Sequence, residues 1–189
     1  MQAQKCCVPT EVFETLKKMG YEPGVVAQIP ASILREGSER VAGNPMGHAE
    51  LKEGEVVLDM GTGSGLDCFY AARKVGPTGK VISVSNSERD IAQAEENKRR
   101  LGAENVELHL AQLEDLPLDD ESVDVAVANC VCCVMRGDER VLRETFRVLK
   151  PGGRFVTTAD ETLDPKLRAV GFEVTNRSGN IVIARKPCT

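Results

Sequence analysis

The feature that most constrains the fold is the stretch Val56-Val57-Leu58-Asp59-Met60-Gly61-Thr62-Gly63-Ser64-Gly65-Leu66, where a short β-branched run breaks into alternating glycines and resumes as a helix. Such a run suits a central parallel strand covered on both faces. Asp59 is expected where that strand ends. Gly61, Gly63 and Gly65 let the backbone turn and approach a ligand with no Cβ in the way, and open α/β sheets bind ligands outside the carboxyl ends of their strands.

The spacing of the glycines separates two cofactor classes. A dinucleotide fingerprint is G-x-G-x-x-G, with a pyrophosphate resting on the helix N-terminus. Here Leu66 takes the third glycine position, and the pattern is G-x-G-x-G after an acidic residue. That favours S-adenosylmethionine, whose methionine moiety has no phosphate to cradle.

Around this turn the chain alternates. Thr10 to Met19 carries Val12, Phe13, Leu16 and Met19 on one helical face and ends at Gly20; Pro23, Gly24 and Pro30 then interrupt it, with a second short helix expected near Ala31 to Arg35. Residues 1–40 therefore read as a helical cap or lid outside the core, and 41–189 as the ligand-binding domain. Lys80–Ser85, Val106–Leu110, Val123–Ala128 and Phe155–Thr158 read as further strands, with Ser87 capping a helix that Gly102 ends. Lys150-Pro151-Gly152-Gly153 closes a helix carrying Val141, Leu142, Thr145, Phe146, Val148 and Leu149. Phe172–Thr175 and Ile181–Ala184 read as a terminal hairpin around Ser178-Gly179-Asn180. This order predicts an α/β fold: a doubly wound, Rossmann-like, seven-stranded sheet, mainly parallel with an antiparallel C-terminal hairpin.

Composition excludes several classes. With 189 residues, 41% hydrophobic, and a net charge of -5 from scattered charges, the chain can bury one core but offers no electrostatic footprint for nucleic acid. No apolar run reaches membrane-spanning length and the N-terminus lacks a secretory apolar stretch, so the expected compartment is cytoplasmic. The seven cysteines are then expected as thiols rather than disulfides.

Gly43-Asn44-Pro45, Leu58 to Gly65, Asp67-Cys68, Glu114-Asp115-Leu116-Pro117, Ser122-Val123-Asp124, Asn129-Cys130-Val131 and Arg147 to Gly153 together resemble the class I S-adenosylmethionine-dependent methyltransferases, and among them the arsenite methyltransferases. The resemblance covers roughly residues 41 to 158. It implies that Asp59, Gly61 and Gly63 hold the methionine end of the cofactor, that Leu113 packs on adenine, that Glu114 accepts from its amino group, and that Asn129 lies beside the methionine. It further implies that Cys68 and Cys130 present a trivalent arsenic, a soft centre that thiolates prefer. Two departures stand out. At the end of the second strand, where the family carries an acid for the ribose hydroxyls, the sequence reads Ser85-Asn86; and only a dozen residues separate Thr158 from Gly171, with no match for a further substrate cysteine.

The cysteines leave alternatives open. Cys68 falls on the inward face of its helix, where packing and ligation both fit, whereas Cys130 is expected at a strand end facing the cleft. Cys132 or Cys133 could supply a third thiolate, and Cys6-Cys7 could reach the site from the N-terminal segment. Cys130-x-Cys132-Cys133 has no partner knuckle, so zinc is poorly supported, and His48 and His109 read as packing residues. The expected partner is a small-molecule or metalloid acceptor, with Cys68 and Cys130 as the reacting pair. Beside it stand methyl transfer to another small molecule, with the cysteines only packing, and a degenerate methyltransferase fold that binds without catalysis.

Overall fold

The computed structural model describes residues 10–188 and, within them, every side chain but that of Cys133. The calls on Cys6 and Cys7, and on the Cys133 thiol, lie outside this description. Four short helices come first: α1 (Thr10–Lys18), α2 (Pro23–Val26), α3 (Ala31–Ser38) and α4 (Pro45–His48). Strand β1 (Val56–Met60) feeds helix α5 (Leu66–Val75), β2 (Lys80–Ser85) feeds α6 (Glu88–Leu101), and β3 (Val106–Leu110) leads through a loop to β4 (Val123–Ala128). Helices α7 (Cys132–Met135) and α8 (Glu139–Val148) precede β5 (Leu149–Thr158); α9 (Asp164–Val170) then leads to β6 (Glu173–Ser178) and β7 (Ile181–Arg185).

These strands form one seven-stranded sheet in the order β3-β2-β1-β4-β5-β7-β6. Strands β1 to β5 are parallel, and β7 runs antiparallel to both β5 and β6. The expected hairpin is present, but β7 inserts beside β5 and leaves β6 at the edge. Two boundaries also moved. Strand β1 continues through Asp59 to Met60, and the Lys150-to-Gly153 turn is drawn into β5, whose register against β4 shifts between Val123 and Val125.

Side chains alternate across the sheet, so each strand feeds two cores. Val57, Val81, Val125 and Val156 pack against α5 and the N-terminal helices; Leu58, Ile82, Ala126 and Phe155 pack against α8 and α9. The stretch from Tyr21 to Arg40 was expected to be a lid or cap and not a core element, yet several of its side chains are buried. Leu16, Tyr21, Val26, Ile29, Ile33 and Leu34 are all buried in the first of these clusters, because α2 and α3 pack on α5 and α1 packs in turn on α2 and α3.

Candidate active site

The cleft lies at the carboxyl ends of the parallel strands, where the order reverses between β1 and β4. It has two lobes that share Gly61, Ser85, Asn86 and Val131. One, of about 500 Å³, is lined also by Leu113, Glu114, Cys132, Arg136 and Asp138. The other, of about 530 Å³, is lined also by Arg40, Thr62, Gly63, Ser64, Asp67, Asp90, Asn129 and Cys130.

The glycine loop forms the floor. Gly61 has φ +90°, and a Cβ there would come within 2.9 Å of Val131 Cγ2. The left-handed backbone and the missing Cβ leave bare peptide facing both lobes, the surface a ligand needs for close approach. Gly63 also has positive φ. Leu113, 8% exposed, offers an apolar wall beside the Glu114 carboxylate. Their loop is pinned from α8: Arg147 donates to the carbonyls of Leu116 and Leu118 at 3.1 and 2.8 Å, and Glu144 accepts from the Leu116 amide at 2.9 Å. An apolar slot with an acceptor, followed by neutral polar groups and then bare glycine backbone, suits a base, a sugar and a short polar chain in that order.

Asp59 is displaced from its expected place. Because β1 runs on to Met60, Asp59 is paired in register with Ser83 and Val127, and its side chain turns toward α5. It is 3% exposed, lines neither lobe, and accepts from Ser83 Oγ at 2.6 Å; that hydroxyl also contacts Thr62 Oγ1 at 2.8 Å. Burial, and then the charge of nearby Asp67, push its carboxyl up to about 8. Asp59 thus braces the loop through Ser83 and Thr62.

Cys68 is displaced too. It is fully buried beside Ser83 and Asp59 and lines neither lobe, and burial, then the charge of Asp59, holds its thiol well above the ordinary value. A thiol in that state is a packing group, not a soft ligand. Cys130 is the reverse: exposed, lining the glycine-loop lobe, and held at φ 59°, left-handed for a non-glycine residue, with its amide donating to Thr158 Oγ1 at 2.8 Å. Such a conformation persists only where the surroundings impose it, and it clusters at functional sites. Cys132 is exposed in the other lobe, so Val131 stands between the two thiols. Among the described residues no three His, Cys, Asp or Glu side chains converge as ion ligands would.

Asn129 lines the lobe with its amide already engaged. Nδ2 donates to Asp67 Oδ2 at 2.8 Å and to the Gly43 carbonyl at 3.0 Å, while Oδ1 accepts from the Ala42 amide at 3.2 Å. Tyr21 donates to Asp67 Oδ1 at 2.6 Å. Burial raises the Asp67 carboxyl, opposed by the bonds from Tyr21 and Asn129. This knot fastens the N-terminal segment to the rim of the cleft. Sequence reasoning missed Tyr21, Arg40 and Asp90. Tyr21 sits among breakers that carry no periodicity, and Arg40 and Asp90 meet across 50 positions of sequence.

Residues 51–180 match the model of the methyltransferase domain family. An arsenite methyltransferase of Halobacterium salinarum is 41% identical over 150 residues, covering 79% of this chain and 37% of that protein. A ubiquinone/menaquinone biosynthesis C-methyltransferase of Salmonella paratyphi B is 33% identical over 138 residues, covering 70% of this chain and 55% of its own length. The crystal structure of an arsenic(III) S-adenosylmethionine methyltransferase from Chlamydomonas reinhardtii superimposes with a TM-score of 0.69 at 23% identity, covering 87% of this chain and 72% of that one. The chain spans less than half the length of the arsenite methyltransferases it matches. No helix among the described residues is long and apolar enough to cross a membrane.

Proposed function

Because the chain belongs to the methyltransferase domain family, whose cofactor is S-adenosylmethionine, we propose that it catalyses methyl transfer to a small soft nucleophile, a trivalent arsenical held at Cys130 or else a free thiol in the same lobe. The observation that carries this reading is the Cys130 thiol, exposed in the same lobe as the glycine loop and imposed there by a left-handed backbone.

Bound in the cleft, the cofactor supplies an electrophilic methyl on a sulfonium. Leu113 and Glu114 would receive the adenine, and Gly61 and Gly63 would leave room for the methionine end. Asn129 and Asp67 hold the rim, and Gly37, Arg40 and Val41 of the N-terminal segment line one side of the lobe. Cys130 fixes where a thiophilic acceptor sits, and a soft lone pair in line with the methyl needs positioning more than proton removal. No general base is assigned. The resemblance to arsenite methyltransferases favours the arsenical over the thiol, since a thiolate binds the soft trivalent centre directly.

The test is calorimetric titration of the reduced chain with S-adenosylhomocysteine, then with arsenite, on the unmodified protein and on Cys130→Ser. We expect micromolar cofactor-product binding, about -8 kcal/mol, in both proteins, and arsenite binding only where Cys130 is present. Arsenite binding that survives the substitution overturns the assignment of the acceptor site. Absence of S-adenosylhomocysteine binding overturns the activity.

A further inference from the structure

Strand β2 ends at Ser85 and is followed by Asn86, so the point nearest a bound ribose offers a hydroxyl and an amide but no charge. Both are partly committed: Ser85 Oγ accepts from the Ser87 amide at 3.2 Å, and Asn86 Nδ2 donates to Gln112 at 3.3 Å. Four residues on, Asp90 lines the same lobe as Ser85, Asn86 and Gly61. Its place is set by the cap of α6, where Ser87 Oγ accepts from the Asp90 amide at 3.2 Å. Helical side chains lean toward the N-terminus of their helix, so a residue in the first turn projects its carboxylate back over the end of the preceding strand.

The charge of Asp90 is only lightly held. Arg40 reaches Oδ1 at 3.5 Å, the outer limit of a hydrogen bond, and shares its guanidinium with Glu36 at 3.4 Å. Oδ2 has no hydrogen-bond partner among the described residues. The side chain is 20% exposed, so Oδ2 is open and Oδ1 only weakly engaged, beside the end of β2 where Ser85 and Asn86 offer neutral groups.

We propose that Asp90 is the residue that receives the vicinal hydroxyls of the cofactor's ribose, replacing from the first turn of α6 the acid that the end of β2 lacks. This rests on the S-adenosylmethionine reading above. A carboxylate accepts from two adjacent hydroxyls at once, and such charge-assisted bonds are roughly twice as strong as neutral ones. Arg40 steadies the acid from the N-terminal segment, and ribose binding therefore also reports on how that segment sits over the lobe.

The test pairs the isosteric variant Asp90→Asn with two ligands, S-adenosylhomocysteine and its 2′,3′-dideoxy counterpart, in calorimetric titration. The unmodified chain is expected to prefer the diol, and Asp90→Asn to weaken S-adenosylhomocysteine by roughly tenfold or more while leaving the dideoxy ligand within about twofold. Equal weakening of both ligands would assign Asp90 a purely structural role and overturn the proposal, as would unchanged affinity for S-adenosylhomocysteine. If the unmodified chain binds neither ligand, the cofactor reading fails as well; binding with the wrong selectivity fails this inference alone.

Discussion

Asp67-Cys68 and Asn129-Cys130 are the same kind of pair, a polar residue followed by a thiol, and they meet: Asn129 Nδ2 lies 2.8 Å from Asp67 Oδ2. Their thiols nevertheless end in opposite surroundings. In α5 each residue turns about 100° from the last, so with Asp67 pointing to the rim, Cys68 rotates into the core, where it is fully buried. Just past the end of β4 the chain turns through φ 59° at Cys130, and that left-handed step leaves the Cys130 thiol on the cleft surface. The lesson is that a motif locates a residue along the chain, while the local backbone decides which way its chemistry points.

The largest effect expected from this contrast is kinetic. In the folded chain, alkylation by a small thiol reagent should modify Cys130 more than about a thousandfold faster than Cys68, because Cys68 reacts only through unfolding, whose equilibrium constant is of that order or greater. Peptide mapping after timed labelling measures it, and comparable rates would dissolve the contrast.

Next comes pH. Asp59 sits at about 8 against an ordinary 3.8, so between those values the folded chain keeps a proton that the unfolded chain has released. Its stabilisation is complete below pH 3.8 and is lost as pH rises to about 8, by a few kcal/mol, and the raised carboxyl of Asp67 acts in the same sense. Urea midpoints between pH 5 and 8 should therefore fall more steeply for the unmodified chain than for Asp59→Asn. Parallel slopes would mean that Asp59 is ionised in place.

The bond joining the two pairs is tested by Asn129→Ala, which takes from Asp67 Oδ2 its 2.8 Å donor and from the Gly43 carbonyl its 3.0 Å donor, while Tyr21 still donates to Asp67 Oδ1. A loss of about 2 kcal/mol in urea denaturation is expected, together with faster amide exchange in α1 and α3, since the N-terminal segment loses its Asn129 ties to the rim and keeps only that from Tyr21. Unchanged exchange there would show that apolar packing and the Tyr21–Asp67 bond hold it without Asn129. The smallest effect belongs to Cys68→Ala, about 1 kcal/mol of stability from removing a packed sulfur, with S-adenosylhomocysteine binding unaltered; lost binding would return Cys68 to the site.

Periodicity and turn residues were enough to place every strand of the sheet, its mainly parallel order and its terminal hairpin, because alternation and glycine punctuation are local properties. The glycine loop and Cys130, read from their place at strand ends, and Ser85, Asn86, Leu113, Glu114 and Asn129, named through the family resemblance, all line the cleft, which in such a sheet opens at the strand ends. Asp59 and Cys68 were not, because two further residues of strand and one step of helix turned them inward. Nor was the burial of α2 and α3 on α5, and of α1 on them. The contacts that tie Tyr21 to Asp67, Asn129 to Gly43 and Arg40 to Asp90 span tens of residues. The sequence by itself determined which groups reach the strand ends; only the tertiary structure decided their orientation and ionisation, since burial and distance from other charges exist only once remote segments pack together.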